Sequence, residues 1–365
     1  MTGSPADLTR IRAEVGSALD EFIGRRRGDL ARISPDLIPC ADAITDLLAG
    51  GKRLRGAFCY WGWRARGGAD CQPIFAAAGS LELLHASALV HDDVMDGSDT
   101  RRGQPAMHKR FAARHAKGGW RGSADDFGTG AAILTGDLLL AWTDEMLRTS
   151  GLPPDSVRRG AAVLDLMRTE VLAGQCLDLL AQASGGSAVA SALRVIIYKS
   201  AKYTVERPLQ MGAALANTAQ ANAANADHGA AVHAAFTEYG IPLGVAFQLR
   251  DDILGVFGDP VKTGKPVNDD LREGKRTVLL AVTSERASPA QARVLDTAVG
   301  DPRLSATAAD EVRAVITSTG ALAECELMID RNVKEALSVL EAAPIAPDSR
   351  TALAELAVAA TARKT

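Results

Sequence analysis

Residues 81–103 read LELLHASALVHDDVMDGSDTRRG. An apolar run with helical spacing ends in three carboxylates, Asp92, Asp93 and Asp96, and two arginines follow, Arg101 and Arg102. Residues three and four apart on a helix share a side, so the three acids project together. Like charges stacked this way repel one another. A divalent cation between them removes the repulsion, and Mg²⁺ favours a few carboxylates plus the phosphate oxygens of a substrate. A lone acidic cluster is more often a solvated helix end. The apolar lead-in and a second acidic pair far downstream, Asp251 and Asp252, point to a ligand instead.

Upstream, His85 and Ala88 fall on the face of the helix that carries Asp92. Further back, GGKRLR starts at Gly50, where two glycines precede Lys52, Arg53 and Arg55. Flexible backbone beside dense positive charge suits an anionic ligand. Lys199 and Lys202 lie three apart in YKSAKYTVERP, with Ser200 beside Lys199, so on a helix they share a face. Gln248 precedes the second acidic pair in FQLRDDILGVFGDP. The following segment carries Lys262, Lys265, Lys275 and Arg276 among Gly and Asp, the composition of a loop with charge to place on a ligand.

The chain has 365 residues, 47% of them hydrophobic, which is ample for a large core, and a net charge of −3. No basic block marks a nucleic-acid surface. Five scattered cysteines form neither a CxxC pair nor a disulfide framework, so a reducing cytoplasm is expected. The N-terminal MTGSPADLTRIRAEVG has no apolar core and does not read as a signal peptide. No uninterrupted apolar run approaches the roughly 18 residues of a membrane span.

Steps of three and four recur throughout and strand-like alternation is rare, so the reading is all-α, one domain over 1–365. Helices are expected over 6–27, 36–48, 75–95, 133–147, 155–180 and 188–215, with Pro208 at a kink or bend. Residues 118–130 read as a Gly-rich loop with a solvated Asp125–Asp126 pair, and 217–229 as a surface connection. The Ala-rich part, 281–365, is helix-like and carries no functional signal.

Two acidic clusters about 155 residues apart, each ending an apolar helix and flanked by basic residues, suggest cations holding a diphosphate. Diphosphate so held becomes a good leaving group, and apolar walls below would suit a hydrocarbon tail. No Ser–His–Asp or Cys–His arrangement, GxGxxG or GxxxxGK[ST] is present.

These motifs together resemble the trans-isoprenyl diphosphate synthases of the polyprenyl synthetase family. The matching stretches are GGKRLR at 50–55, ELLH at 82–85, DDVMD at 92–96, RRG at 101–103, GDLL at 136–139, GQCLDL at 174–179, YKSAKYT at 198–204, FQLRDD at 247–252 and the GKP…DD…GKRT segment at 264–277. They follow the family's order and cover about 50–280.

The resemblance implies an all-α bundle of ten or more helices around a deep cavity, working as a homodimer. It implies that Asp92, Asp93, Asp96 and Asp251, supported by Asp252, bind Mg²⁺ (three ions, with Mn²⁺ as a substitute). Arg101, Lys199 and Lys265 would contact the allylic diphosphate, with Ser200 beside Lys199. Lys52, Arg55, His85 and Arg102 would hold isopentenyl diphosphate; Gln248 would assist near the metals, and Lys275 would help close the loop. The implied reaction ionises the allylic diphosphate, adds the isopentenyl double bond to the cation and loses a proton to the departing diphosphate.

Two positions depart from the family pattern. The second motif reads DDILG, with Gly255 where a third aspartate is usual, and Gly56 stands where a proline often follows LR. Product length would be set by Leu81, Leu84, Ser87 and Ala88 beneath the first motif. Ser87 and Ala88 are small, which disfavours a strict C10 or C15 stop at those positions; the reading is a C20 product, geranylgeranyl diphosphate, with farnesyl or a longer-chain diphosphate as the alternative. Two rivals are a class I terpene cyclase, whose second motif NDDLREGKR lacks the serine and glutamate to match, and a non-catalytic partner subunit, which only Gly255 favours.

Overall fold

The computed structural model describes residues 7–186, 188–216, 223–258 and 268–361. Apart from one two-residue hairpin, the described residues form helices and their connections. The backbone packs as two compact units, one comprising residues 1–161 and 211–217, the other residues 162–210 and 218–365.

In the first unit, α1 (Leu8–Ile33) buries Ile11, Val15, Leu19, Phe22 and Ile23, the three-and-four spacing read from the sequence. It packs on α2 (Ile38–Leu48), α3 (Leu54–Ala65) and α4 (Gln72–Met95). Helix α4 is apolar on nearly all sides because α1, α3 and the long α6 (Ala124–Arg148) all lie against it. It is the one described helix long and apolar enough to cross a membrane, and 72% of its most apolar window is buried inside the protein. Its central place explains both its composition and the position of the acidic motif at its C-terminal end.

The start of α6 differs from the expected loop. The helix begins at Ala124, nine residues before the predicted Ile133. The Ser123 hydroxyl accepts from the Asp126 N–H at 3.2 Å, and Asp125 and Asp126 occupy the first turn, where carboxylates favour the positive end of the helix dipole. The pair read as solvated loop acids is therefore a helix start.

In the second unit, α10 (Ala223–Phe257) runs through the centre, and its Leu249, Ile253 and Val256 join the buried cluster. Its N-terminal turns occupy part of the expected 217–229 connection, since Ala-rich sequence has high helix propensity. A π-helix, Ile196–Glu206, packs along α10. It follows α8 (Val189–Val195) and leads into α9 (Arg207–Ala216) without a break, so Pro208 lies inside one continuous helix, directly after its π-helical segment. The wide π-turns approach their neighbours at glycines. A Cβ on Gly174 of α7 (Pro154–Ser184) would overlap the Lys199 backbone, one on Gly244 would overlap Ala201, and one on Gly240 would come within 2.8 Å of Glu206 Cα.

The short α11 (Asp269–Arg272) and α12 (Val278–Arg286) also lie on α10. Helices α13 (Pro289–Ala298), α14 (Ala306–Ser318), α15 (Ala321–Ala342) and α16 (Pro347–Thr361) complete the unit. Bidentate pairing of Arg250 with Glu326, both distances 2.6 Å, fastens α10 to α15 directly before the second acidic pair.

Candidate active site

The first acidic motif terminates α4. The Asp96 N–H closes on the Asp92 carbonyl at 2.8 Å, and Ser98 N–H on the Asp93 carbonyl at 3.0 Å. Asp92 and Asp96 are half-buried, whereas Asp93 is 2% exposed. Asp93 turns inward to Arg101, whose Nε donates to Asp93 Oδ1 at 2.9 Å and whose guanidinium also pairs with it through Nη2. Burial pushes the Asp93 carboxyl up from the ordinary range and the Arg101 hydrogen bonds oppose the shift. The three carboxylates thus divide into two half-buried acids and one that holds an arginine.

Arg101 reaches Asp93 because the chain reverses just after it. Thr100–Arg101 pairs antiparallel with Gln104–Pro105, and the two residues between, Arg102 and Gly103, have φ of 54° and 74°. Positive φ at both central positions is what a tight type I′ reversal demands. From this turn Arg102 Nη1 donates to the Leu47 carbonyl at 2.9 Å. Its guanidinium lies over Gly50 and Gly51, where an added Cβ would sit 3.2 Å from Nη1 and Nη2 respectively. The double glycine therefore makes room for an arginine, beyond the flexibility read from sequence, and Gly51 adopts φ 108°.

The basic stretch is held by a residue whose local sequence gives it no evident role. Glu82, 4% exposed on α4, accepts from the Gly56 N–H at 3.2 Å and from Arg53 Nη1 at 3.4 Å. Arg53 also donates to the Leu48 carbonyl. Proline at 56 would lack the N–H that Glu82 receives, which gives the Gly56 departure a physical use. Lys52 stays exposed and Arg55 half-buried.

His85 lies half-buried on α4. Burial, then the positive fields of Arg55, Arg102, Arg101 and Arg53, hold it well below 6.5, so it is neutral at physiological pH. The first unit therefore collects four arginines around one neutral histidine beside the acidic helix end. That cluster contains three of the residues expected to hold isopentenyl diphosphate.

Of the expected chain-length residues, Leu81 is fully buried and Leu84 is 3% exposed. Ser87 is locked to α6, its hydroxyl donating to the Gly136 carbonyl at 2.8 Å, whereas Ala88 is half-buried.

In the second unit, Asp251 and Asp252 sit near the end of α10. Asp252 is 6% exposed and accepts from Gln248 Nε2 at 2.8 Å. Burial, with Asp270 and Asp251 adding, pushes its carboxyl up to about 7. Lys275 Nζ lies 2.6 Å from Glu273 and 3.5 Å from Asp270. Lys199 Nζ donates to Asp178 Oδ2 at 2.6 Å, and Lys202 lies 3.2 Å from Glu170 and 3.0 Å from Glu206. The expected common face of the two lysines becomes a common attachment to α7. Ser200 is buried. Asp178, within the GQCLDL stretch, is the residue that aims Lys199. Lys265, with Lys262 and Asp259, lies outside the described residues.

Among the described residues no three His, Cys, Asp or Glu side chains are placed to hold a metal ion by themselves. The donors at both helix ends are carboxylates only, which fits a hard cation such as Mg²⁺. That ion keeps few protein ligands and completes its shell with phosphate oxygens and water.

All-α architecture with carboxylate-ended apolar helices and an arginine cluster around a neutral histidine defines the trans-prenyltransferase class of enzyme. The chain belongs to the polyprenyl synthetase family, whose model matches residues 39–317 and so runs through both units. It is 32% identical over 354 residues to the geranylgeranyl diphosphate synthase of Mycobacterium tuberculosis, covering 94% of this chain and 92% of that protein. It is also 32% identical over 320 residues to the geranylfarnesyl diphosphate synthase of Aeropyrum pernix, covering 87% and 91%. The crystal structure of a geranylgeranyl pyrophosphate synthase from Corynebacterium glutamicum, complexed with isoprenyl diphosphate and magnesium, superposes with a TM-score of 0.91 at 36% identity, covering 98% of this chain and 99% of that one. Enzymes of this family require a divalent metal.

Proposed function

We propose that the protein condenses isopentenyl diphosphate with allylic diphosphates of C5 to C15 and releases mainly geranylgeranyl diphosphate. The observation that carries this reading is the arginine cluster around neutral His85 beside the DDVMD helix end. It offers a second anion site where a cyclase needs only one.

Asp92, Asp96 and Asp251 would hold Mg²⁺ in this reading, with Asp252 in support and Asp93 serving through Arg101. Mg²⁺, three ions by the family resemblance and replaceable by Mn²⁺, supplies charge that stabilises diphosphate as it departs. Arg101, Lys199 and Lys265 hold the allylic diphosphate, and Gln248 steadies Asp252. Lys52, Arg55, Arg102 and neutral His85 hold isopentenyl diphosphate. The allylic C–O bond breaks and its electron pair leaves with diphosphate. The isopentenyl double bond then bonds to the allylic cation, and the proton released from the adjacent carbon passes to the departed diphosphate. Half-buried Ala88 and the apolar Leu84 and Leu81 beneath the acidic motif support a C20 limit, as do the names of two of the relatives, while the third is named for the C25 geranylfarnesyl product. A single catalytic domain, a homodimer and a cytoplasmic location complete the reading.

The test is incubation of the purified protein with Mg²⁺, labelled isopentenyl diphosphate and each allylic primer, followed by product sizing. A dominant C20 product is expected from every primer. A C15 or C25 limit would revise the chain length, and no elongation from any primer would overturn the function.

A further inference from the structure

The second acidic motif lacks its third carboxylate, and the structure shows what fills the space. A Cβ built on Gly255 would overlap the Asp270 carboxylate, with Asp270 Cγ only 2.8 Å away. Asp270 belongs to α11, which lies against α10. Its place is set by its own turn: the Lys275 N–H closes on the Asp270 carbonyl at 3.1 Å, and the buried Leu271 anchors α11 in the core. Its side chain is 17% exposed, and one oxygen lies 3.5 Å from Lys275 Nζ. Gly255 is one helical turn beyond Asp251, on the same side of α10. A side chain at 255 and the Asp270 side chain therefore compete for one volume beside Asp251.

We propose that Asp270 is the third carboxylate of the second motif, supplied from α11 to the Mg²⁺ and diphosphate held by Asp251. The proposal rests on the prenyltransferase reading above. Glycine at 255 is then the residue that lets a carboxylate from another helix reach the site, and Lys275 partly balances its charge when diphosphate is absent. The donor is an oxygen of the type Mg²⁺ prefers, and a ligand set shared with phosphate oxygens needs only one or two protein carboxylates per ion.

The test measures Mn²⁺ binding by electron paramagnetic resonance in the presence of inorganic pyrophosphate, with folding checked by circular dichroism. The variants are Asp270→Asn and the pair Gly255→Asp with Asp270→Ala. In the pair the carboxylate moves to α10, and the retained Cβ at 270 lies 3.6 Å from the new one, an ordinary contact. Asp270→Asn is expected to weaken Mn²⁺ binding about tenfold or to lose one bound ion, and the pair is expected to recover it to within about threefold. Folded Asp270→Asn that binds Mn²⁺ like the wild type would overturn the proposal, as would a folded pair that stays as weak as Asp270→Asn. Wild-type protein that elongates primers while Asp270→Asn binds Mn²⁺ unchanged would sink this proposal alone. Wild-type protein that binds no Mn²⁺ with pyrophosphate would sink it together with the prenyltransferase reading.

Discussion

Arg101 and Asp93 are partners: one guanidinium, 16% exposed, sits on one carboxylate, 3% exposed, at the end of α4. Two residues expected to serve substrate and metal independently are thereby coupled. Truncating either leaves a desolvated charge behind. Arg101→Ala and Asp93→Ala are each expected to cost several kcal/mol of stability, on the order of 3–5. The double variant should cost clearly less than the sum. Urea denaturation of the four proteins measures the coupling, and strict additivity would show that the pair is not shared.

Asp92, half-buried at the same helix end, is proposed to meet metal directly. Asp92→Ala is expected to lower kcat by about a thousandfold or more, with unfolding free energy within about 0.5 kcal/mol of wild type, as at other partly exposed positions. Turnover near the wild-type level would remove Asp92 from the metal site.

Glu82 ties the basic stretch to α4 through Gly56 and Arg53. Glu82→Ala leaves Arg53 buried without its carboxylate, so a loss of about 3–5 kcal/mol is expected. KM for isopentenyl diphosphate should rise more than KM for the allylic primer, because Lys52 and Arg55 flank the loosened residue. Equal changes in both would mean that Glu82 stabilises the unit without placing the anion site.

Two groups, His85 and Asp252, titrate with opposite effects on stability. His85 is held well below 6.5 when folded, so the unfolded chain takes up its proton first and stability falls as pH drops below about 6.5. His108 and His233 are also lowered by burial and act in the same direction. Asp252 is raised from 3.8 to about 7, so it destabilises the metal-free protein increasingly as pH rises through that window. Asp252→Asn is therefore expected to stabilise the metal-free protein at pH 8 while lowering turnover. The gain should be a few kcal/mol, at about 1.4 kcal/mol for each tenfold difference in proton affinity between the folded and unfolded chain. His85→Asn should flatten the acid limb of the stability profile. Guanidinium titrations across pH 5–8 distinguish both outcomes from no change.

Ser87 and Ala88 are both small in sequence, yet only Ser87 is bonded to a neighbouring helix. Ala88→Phe is expected to shorten the main product to C15. Ser87→Phe has to displace α6, because the Ser87 hydroxyl already bonds to Gly136, and should lower stability by roughly 1–3 kcal/mol. Product sizing and thermal melts on the two variants separate a chain stop from a packing fault.

The all-α fold was legible because the spacing of Ile11, Val15, Leu19 and Phe22 recurs in helix after helix, and because α4 is apolar on nearly every side. The acidic motifs and their basic neighbours were legible as local patterns. What escaped depends on partners distant in the chain. Glu82 gains its role from Gly56, Asp178 from Lys199, and Asp270 from Gly255; no short window of sequence contains either of the first two pairs, or the meeting of α11 with α10. The π-helix escaped because Gly174, Gly240 and Gly244, which admit its wide turns, lie on other helices. The early start of α6 was readable in retrospect, since Ser123 followed by Asp125 and Asp126 is a helix-start signal.

The most direct test of the central claim measures diphosphate release beside five-carbon units incorporated. The prenyltransferase reading predicts one diphosphate released per isopentenyl unit added, only when allylic primer, isopentenyl diphosphate and Mg²⁺ are all present, and none after chelation. Release from geranylgeranyl diphosphate alone, with a cyclic hydrocarbon formed and no isopentenyl unit consumed, would contradict it.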